Sequence, residues 1–299
     1  MRFDAIIPRI DAGPSVQWRQ TGAVFSPYDP PVSVWQEVGR DVFVRRYPFF
    51  DQNIGVVLGP DGVLVVDTRT THAQARELHR ELRELTPQPV RAVVNTHFHY
   101  DHTFGNRVFR PAPIWGHQLC AVRLVEVGEK MRAAASIEIP QLAQDLRDVV
   151  IDPPDVTFDE RAVVDAVGRD VDLRYLGRGH TESDIVVVVP DADVLFAGDL
   201  LENGATPYFA DAYPLDWPAT CEAVVALVSG AVVPGHGDIA DRDFAVEQTE
   251  QLRSLAYLAR RVQLGEIGFD DALDASPFPR AASREPLERT LSQLRGELG

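Results

Sequence analysis

The chain has 299 residues, 45% of them hydrophobic and 25% charged, with a formal net charge of −16 at pH 7. This composition fits one large or two modest globular domains and excludes a disordered or fibrous chain. The acidic surplus, with Lys130 the sole lysine, repels phosphate backbones, so a small-molecule substrate is expected and nucleic acid is not.

In chain order, VSVWQEVGRDVFVRRYP (32–48) alternates around a Gly-Arg-Asp turn, and IGVVLGPDGVLVVDT (54–68) is two apolar runs joined by Pro-Asp-Gly. Both read as β-hairpins. Phe49–Phe50, between them, read as buried hairpin residues, the alternative being a mobile substrate flap. A helix follows over 71–86, with Ala73, Leu78, Leu82 and Leu85 at helical spacing and Thr70 or Thr71 as N-cap. His72 and His79 belong to this exposed or half-exposed helix and are read as structural. PVRAVVN is a strand, APIWG another, and 117–134 a helix that His117 caps. Periodicity weakens over 135–157, which reads either as a lid-like insertion over a site or as a connector. A second series follows: strands in 162–177, 184–190 and 193–199, a helix from Trp217, the strand AVVPGHG, and a helix at 241–263. The recurrence of hairpins, helix, strand, helix suggests two similar halves packed as a four-layer α/β/β/α sandwich. Residues 1–265 are expected to form the catalytic domain, with 266–299 a helical tail packed on it.

The opening residues MRFDAIIPRIDAGPSV are too polar for a secretory signal, and no apolar run is long enough to span a membrane. Cys120 and Cys221 provide no disulfide framework. A cytoplasmic protein with no membrane partner is expected.

The run NTHFHYDHTFGN (95–106) places His97, His99, Asp101 and His102 within six positions, although the chain has only eight histidines. In extended backbone, side chains two apart share a face, so His97 and His99 can reach one ion together. Asp101 and His102 are adjacent, so the backbone must turn to send both toward a second ion. The spacing is not the i, i+4 pattern of a helical zinc motif. Three more candidates stand at strand ends: His180 in GRGHTESD, Asp199 closing VLFAGD as Asp67 closes VLVVD, and His236 in VVPGHGD. Strand ends are where α/β proteins place their chemistry.

The order H-x-H-x-D-H, G-H-T, A-G-D, P-G-H-G, spread from about residue 30 to about residue 240, resembles the metallo-β-lactamase-fold hydrolases. The resemblance implies an α/β fold, the four-layer sandwich of two mostly antiparallel mixed sheets. It also implies that His97, His99 and His180 bind a first metal, and Asp101, His102 and His236 a second. Asp199 would bridge the two, and Asp67 would support the histidine loop from behind. Imidazole and carboxylate without thiolate suit Zn²⁺, Fe²⁺ or Mn²⁺. Two divalent ions are expected, Zn²⁺ first because of its frequency in such sites. Two such ions share a hydroxide that attacks a carbonyl carbon, with Asp101 orienting it or carrying a proton to the leaving group.

Several branches of the family fit poorly. Many of its β-lactamases place Lys three residues after the Asp199 position, where it clamps the drug's carboxylate; here Glu202 would repel one. Asp199 itself replaces their usual Cys or Ser, so at most a weak β-lactamase activity is expected. RNA-processing members need a basic surface, and oxygen-reducing diiron members carry Glu where His99 stands. Arg253, Arg260 and Arg261 do not match the glutathione-holding pattern of glyoxalase-type enzymes. The expected activity is hydrolysis of a small ester, lactone, thioester or amide. The alternative is a mononuclear non-haem iron oxygenase of the persulfide dioxygenase type. Tyr208 and Phe209 either line the substrate pocket or anchor their loop, and Asp184 is read as fixing a turn. Replacing His99 with Ala should abolish both metal binding and activity; retention of both, by elemental analysis and turnover, would refute the ligand assignment.

Overall fold

The computed structural model describes residues 34–298; the polar opening stretch lies outside them. β1 (Gln36–Gly39) and β2 (Val42–Tyr47) form the first hairpin, and β3 (Gln52–Gly59) and β4 (Gly62–Val66) the second. α1 (His72–Leu85) starts where the Thr71 hydroxyl accepts the Gln74 N–H at 3.2 Å, the capping that satisfies a free helical donor. β5 (Val90–Val94) then lies parallel to β4. The short α2 (Tyr100–Thr103), β6 (Ile114–His117), α3 (Gln118–Glu138), α4 (Ala143–Arg147) and β7 (Val156–Phe158) complete the first series. The second comprises β8 (Arg161–Val164), β9 (Val171–Tyr175), β10 (Ile185–Val189), β11 (Val194–Asn203), α5 (Trp217–Val225), β12 (Ala231–Gly237) and α6 (Arg242–Gln263). The tail adds α7 (Phe269–Asp274) and α8 (Arg284–Leu294).

The protein is an α/β fold built on a large mixed sheet. Its strands fall into two runs, β1 to β7 and β8 to β12, connected through one residue pair, His236 opposite Gln52. The two-residue period of each strand sorts its apolar side chains. Val57, Leu64, Val66 and Val94 enter one cluster with Leu173, Ile185, Val187, Phe196 and Val233 of the other run. Ile54, Val56, Val63, Val65 and Val93 face the opposite way and meet Ala75, Leu78 and Leu82 of α1. Val186, Leu195 and Ala197 meet α5, α6 and α8 through Val224, Leu252, Leu255 and Leu287. Each such side chain contributes about 1.5–3 kcal/mol when fully buried, and these faces fix where the strand ends converge.

The chain departs from its sequence pattern in several places. β11 does not stop at Asp199 but continues to Asn203, with its register broken around Gly198, whose φ is 52°. That irregularity re-aims Asp199 without ending the strand. β7, three residues long, has too little alternation to be read in advance. His72 is not exposed: it is buried, and its Nε2 accepts the Val150 N–H at 3.2 Å, tying the end of the 135–157 stretch to α1. That stretch is helical in part, and Ala135, Ile139, Leu142 and Leu146 pack with Phe98 and Phe104 of the histidine loop. It buttresses the loop from outside. No helix among the described residues is long and apolar enough to cross a membrane.

Gly237 follows His236 at φ 90°, and a Cβ there would run into the Asn203 carbonyl. Gly237→Ala should therefore destabilise the fold by on the order of 2–4 kcal/mol, read as a lower urea midpoint at unchanged slope.

Candidate metal centre

The histidine loop leaves β5 at Asn95, whose side-chain amide donates to the His102 carbonyl at 3.1 Å and to Asn106 at 3.0 Å. Asn106 donates back to Asn95 Oδ1 at 2.8 Å, so the loop closes on itself. Gly105 marks the exit, because a Cβ there would strike the Thr68 carbonyl. Gln52 reaches across from β3 to the Asp101 carbonyl, and Asn53 donates to the Pro234 and Gly237 carbonyls that flank His236. Rigid strand ends from both runs thereby present their side chains to one buried space.

Two groups of side chains meet there: His97, His99, His180 and Asp199, and beside them Asp101, His102 and His236, with the potential ligand atoms of each group within 4.8 Å of one another. Asp199 faces both. Its Oδ2 lies 3.6 Å from His97 Nε2, 3.5 Å from His180 Nε2 and 3.2 Å from His236 Nε2, and its Oδ1 lies 3.4 Å from His102 Nε2. Asp101 Oδ2 lies 3.3 Å from His102 Nε2 and 3.4 Å from His236 Nε2. Donors about 2.0–2.1 Å from a common tetrahedral ion stand roughly 3.3–3.4 Å apart, so these spacings fit metal ligation.

The remaining nitrogen of each imidazole is held by an oxygen. His97 Nδ1 donates to Thr96 Oγ1 (3.1 Å), His102 Nδ1 to Asp67 (2.8 Å), His180 Nδ1 to the Tyr208 carbonyl (3.1 Å) and His236 Nδ1 to the Phe50 carbonyl (2.7 Å). His99 donates from Nε2 to Asp211 at 3.0 Å. Such anchors fix the tautomer that leaves the inner nitrogens as lone pairs. The inner nitrogens then face one another, His180 Nε2 at 2.9 Å from His99 Nδ1 and His102 Nε2 at 3.3 Å from His236 Nε2. His97 Nε2 and Asp199 Oδ1 are buried without any hydrogen bond. Converging imidazole nitrogens and a buried carboxylate oxygen without a hydrogen bond form a donor set that fits a cation.

The charge balance agrees. Burial works against charge on His102, but Asp199, Asp101 and Asp67 outweigh it and hold the imidazole protonated well above its ordinary range; His236 is raised likewise by Asp199 and Asp101. Burial would raise the Asp199 carboxyl, yet His236, His102 and His97 keep it well below the usual range. Burial holds His97 well down and His180 at about 4. Protons on His102 and His236 thus balance the carboxylates, and a bound cation would displace them.

Asp67 accepts the Thr96 N–H and hydroxyl, each at 2.9 Å, as well as His102. Asp67 and Arg69 take positive φ values of 66° and 70°, and Phe50 and Asp51, below His236, take 63° and 55°. Asp211 is a residue that sequence reasoning missed. It sits in the irregular stretch between β11 and α5, 112 positions from His99, and no spacing rule links the two. Tyr208 lies half-buried, with its ring centroid 6.2 Å from His99 and 6.1 Å from His180. Phe209 is a correction: it is 1% exposed and packs on Trp217 and Phe278 in the core, so it does not line the site. Glu202 is a second correction. It is buried, accepts the Tyr208 N–H at 2.9 Å and lies 3.7 Å from His180 Nδ1, and burial, with Asp199 nearby, pushes its carboxyl up to about 8, so it is not the exposed anion that the sequence suggested. His117 caps α3 and stacks on Tyr175, and Asp184 closes its turn by accepting the Thr181 N–H and hydroxyl.

A buried His/Asp centre where the strands of a mixed sheet converge defines a metal-binding class of α/β protein. Residues 47–260 match the Metallo-beta-lactamase superfamily, and the chain belongs to that family of metal-dependent hydrolases. It is 24% identical over 241 residues to the linear primary-alkylsulfatase of Pseudomonas sp. (strain ATCC 19151), covering 68% of this chain and 45% of that protein. With Metallo-beta-lactamase type 2 of Bacillus cereus it shares 27% identity over 205 residues, 67% of this chain and 72% of the other. The chain thus spans under half the length of the alkylsulfatase. Among solved structures, the metallo-beta-lactamase FIM-1 from Pseudomonas aeruginosa in its mono-zinc form aligns at a TM-score of 0.60 and 21% identity, covering 76% of this chain and 96% of that one. That likeness is one of fold.

Replacing Asp67 with Ala removes three hydrogen bonds behind the histidine loop. It should weaken cation binding about 10–100-fold, measured by elemental analysis at buffered free Zn²⁺.

Proposed function

We propose that the chain hydrolyses a small ester, lactone, thioester or amide at a dinuclear centre, with His97, His99 and His180 holding one cation. Asp101, His102 and His236 hold the other, and Asp199 faces both. Zn²⁺ is the first candidate: the donors are imidazole and carboxylate, and a solved relative carries zinc. The observation that carries this reading is the convergence of five inner imidazole nitrogens and Asp199, each imidazole anchored from outside. When bound, such a cation pair supplies a water acidified from a pKa near 16 to about 7 and a Lewis acid for the scissile carbonyl.

The chain's own residues do the rest. Asp101 sets Oδ2 between His102 and His236 as a ligand atom, and its other carboxylate oxygen is the one that would take the water's proton and return it to the leaving group. Tyr208, beside His99 and His180, is placed to bear on the substrate's acyl portion. Phe50, Phe49 and Tyr100 sit close together near His236, with Phe50 and Tyr100 centroids 6.1 Å apart, and offer an aromatic wall. The mononuclear oxygenase reading shares the same H-x-H-x-D-H residues and fills mainly the first group, so metal content separates the two readings. The core clusters support the four-layer arrangement, since one lies between the two strand runs and two lie under helices.

The test is a panel of lactones, thioesters, aryl esters, a primary alkyl sulfate and a chromogenic cephalosporin, run on protein of known metal content. The expected result is acyl hydrolysis with two equivalents of Zn²⁺ and little or no cephalosporin turnover. One equivalent of iron with oxygen uptake would overturn the proposal.

A further inference from the structure

We infer that α8, in the C-terminal tail, positions the first cation's histidines through the loop between β11 and α5, independently of the second group. The inference rests on the dinuclear reading above. That loop supplies the outer partner of two of the three first-group histidines: Asp211 for His99 Nε2 at 3.0 Å and the Tyr208 carbonyl for His180 Nδ1 at 3.1 Å. The second-group histidines depend on neither; His102 is held by Asp67 and His236 by the Phe50 carbonyl.

The loop has little regular structure of its own, so its shape must come from its neighbours. α8 holds it at three points. Arg289 Nε donates to the Ala212 carbonyl at 2.7 Å, directly after Asp211. Gln293 uses both ends of its amide, accepting the Leu215 N–H at 2.7 Å and donating to Asp216 Oδ2 at 2.6 Å. Before α8, Phe278 lies against Phe209, the residue after Tyr208, at 5.9 Å between ring centroids. Leu287 anchors the helix in the same core cluster as Trp217 and Phe209. The hydrogen bonds therefore link α8 to the loop, at two backbone groups and the Asp216 side chain, and the loop to His99 and His180. Gln293 and Arg289 are positioning residues that touch neither imidazole. Asp211 acts directly: its carboxylate holds His99 Nε2 at 3.0 Å and so turns Nδ1 toward His180 Nε2, 2.9 Å away.

The test separates the two groups by disabling one at a time and reads Zn²⁺ uptake at buffered free concentrations, without reference to turnover. In a His236→Ala background, which leaves the first group intact, adding Asp211→Asn should raise the half-occupancy concentration about 10–100-fold. Adding Gln293→Leu, which keeps a good helix former and removes the terminal amide, should raise it about tenfold. In a His97→Ala background, which leaves the second group intact, Gln293→Leu should change nothing. Arg284→Ala, an exposed change on α8 away from the loop, should leave both unchanged. Equal losses in both backgrounds, or no loss with Gln293→Leu in the first, would overturn the inference while the dinuclear reading stands. Failure of both single-group backgrounds and of the unaltered protein to take up Zn²⁺ would overturn that reading, and this one with it.

Discussion

The Asp199 carboxylate lies within 3.6 Å of four imidazoles that arrive from three separate stretches of chain. Five per cent exposed, it is almost wholly withdrawn from solvent, and an uncompensated buried charge is costly. Its surroundings must therefore supply positive charge, from protons on His102 and His236 or from cations. Everything else in the centre follows from that demand. The strand ends must converge, the imidazoles must present lone pairs inward, and each needs an acceptor behind it.

Those acceptors divide the molecule. Asp67 at the end of β4 and the Phe50 carbonyl after β2 serve His102 and His236, whereas the stretch after β11 serves His99 and His180. The two donor groups lie side by side, yet their outer partners come from different parts of the chain, residues 50 and 67 for one and 208 and 211 for the other. The join is equally economical. One residue pair, Gln52 with His236, connects the strand runs, and one of its members is itself a candidate ligand.

The sequence disclosed the elements with strong periodicity and the residues with short-range spacing. The hairpins, α1 with its Thr71 cap, and the helix from Arg242 to Gln263 were legible because a two- or 3.6-residue pattern persists through each. The seven candidate ligands were legible because each stands in a short motif at a strand end, and the structure gathers them. Asp211 was not, since its link to His99 exists only after the chain folds. Phe209 and Glu202 show the same limit from the other side. Nothing in their neighbours says which way a side chain turns, and both turn inward. His72 is structural, as its helix suggested, but its burial was not legible because the contact comes from the irregular stretch at Val150.

The positive-φ residues flanking the centre have a thermodynamic corollary. Asp tolerates that conformation fairly well, but Phe50 and Arg69, at 63° and 70°, occupy a region that bulky side chains avoid. Each such placement forfeits on the order of 1–3 kcal/mol that a relaxed backbone would retain. Glycine at either position would relieve the strain while loosening the peptide units that aim His236 and brace the Asp67 turn. The molecule thus gives up global stability where it needs local precision, and attempts to raise its melting temperature by idealising these turns would trade away the order of the centre.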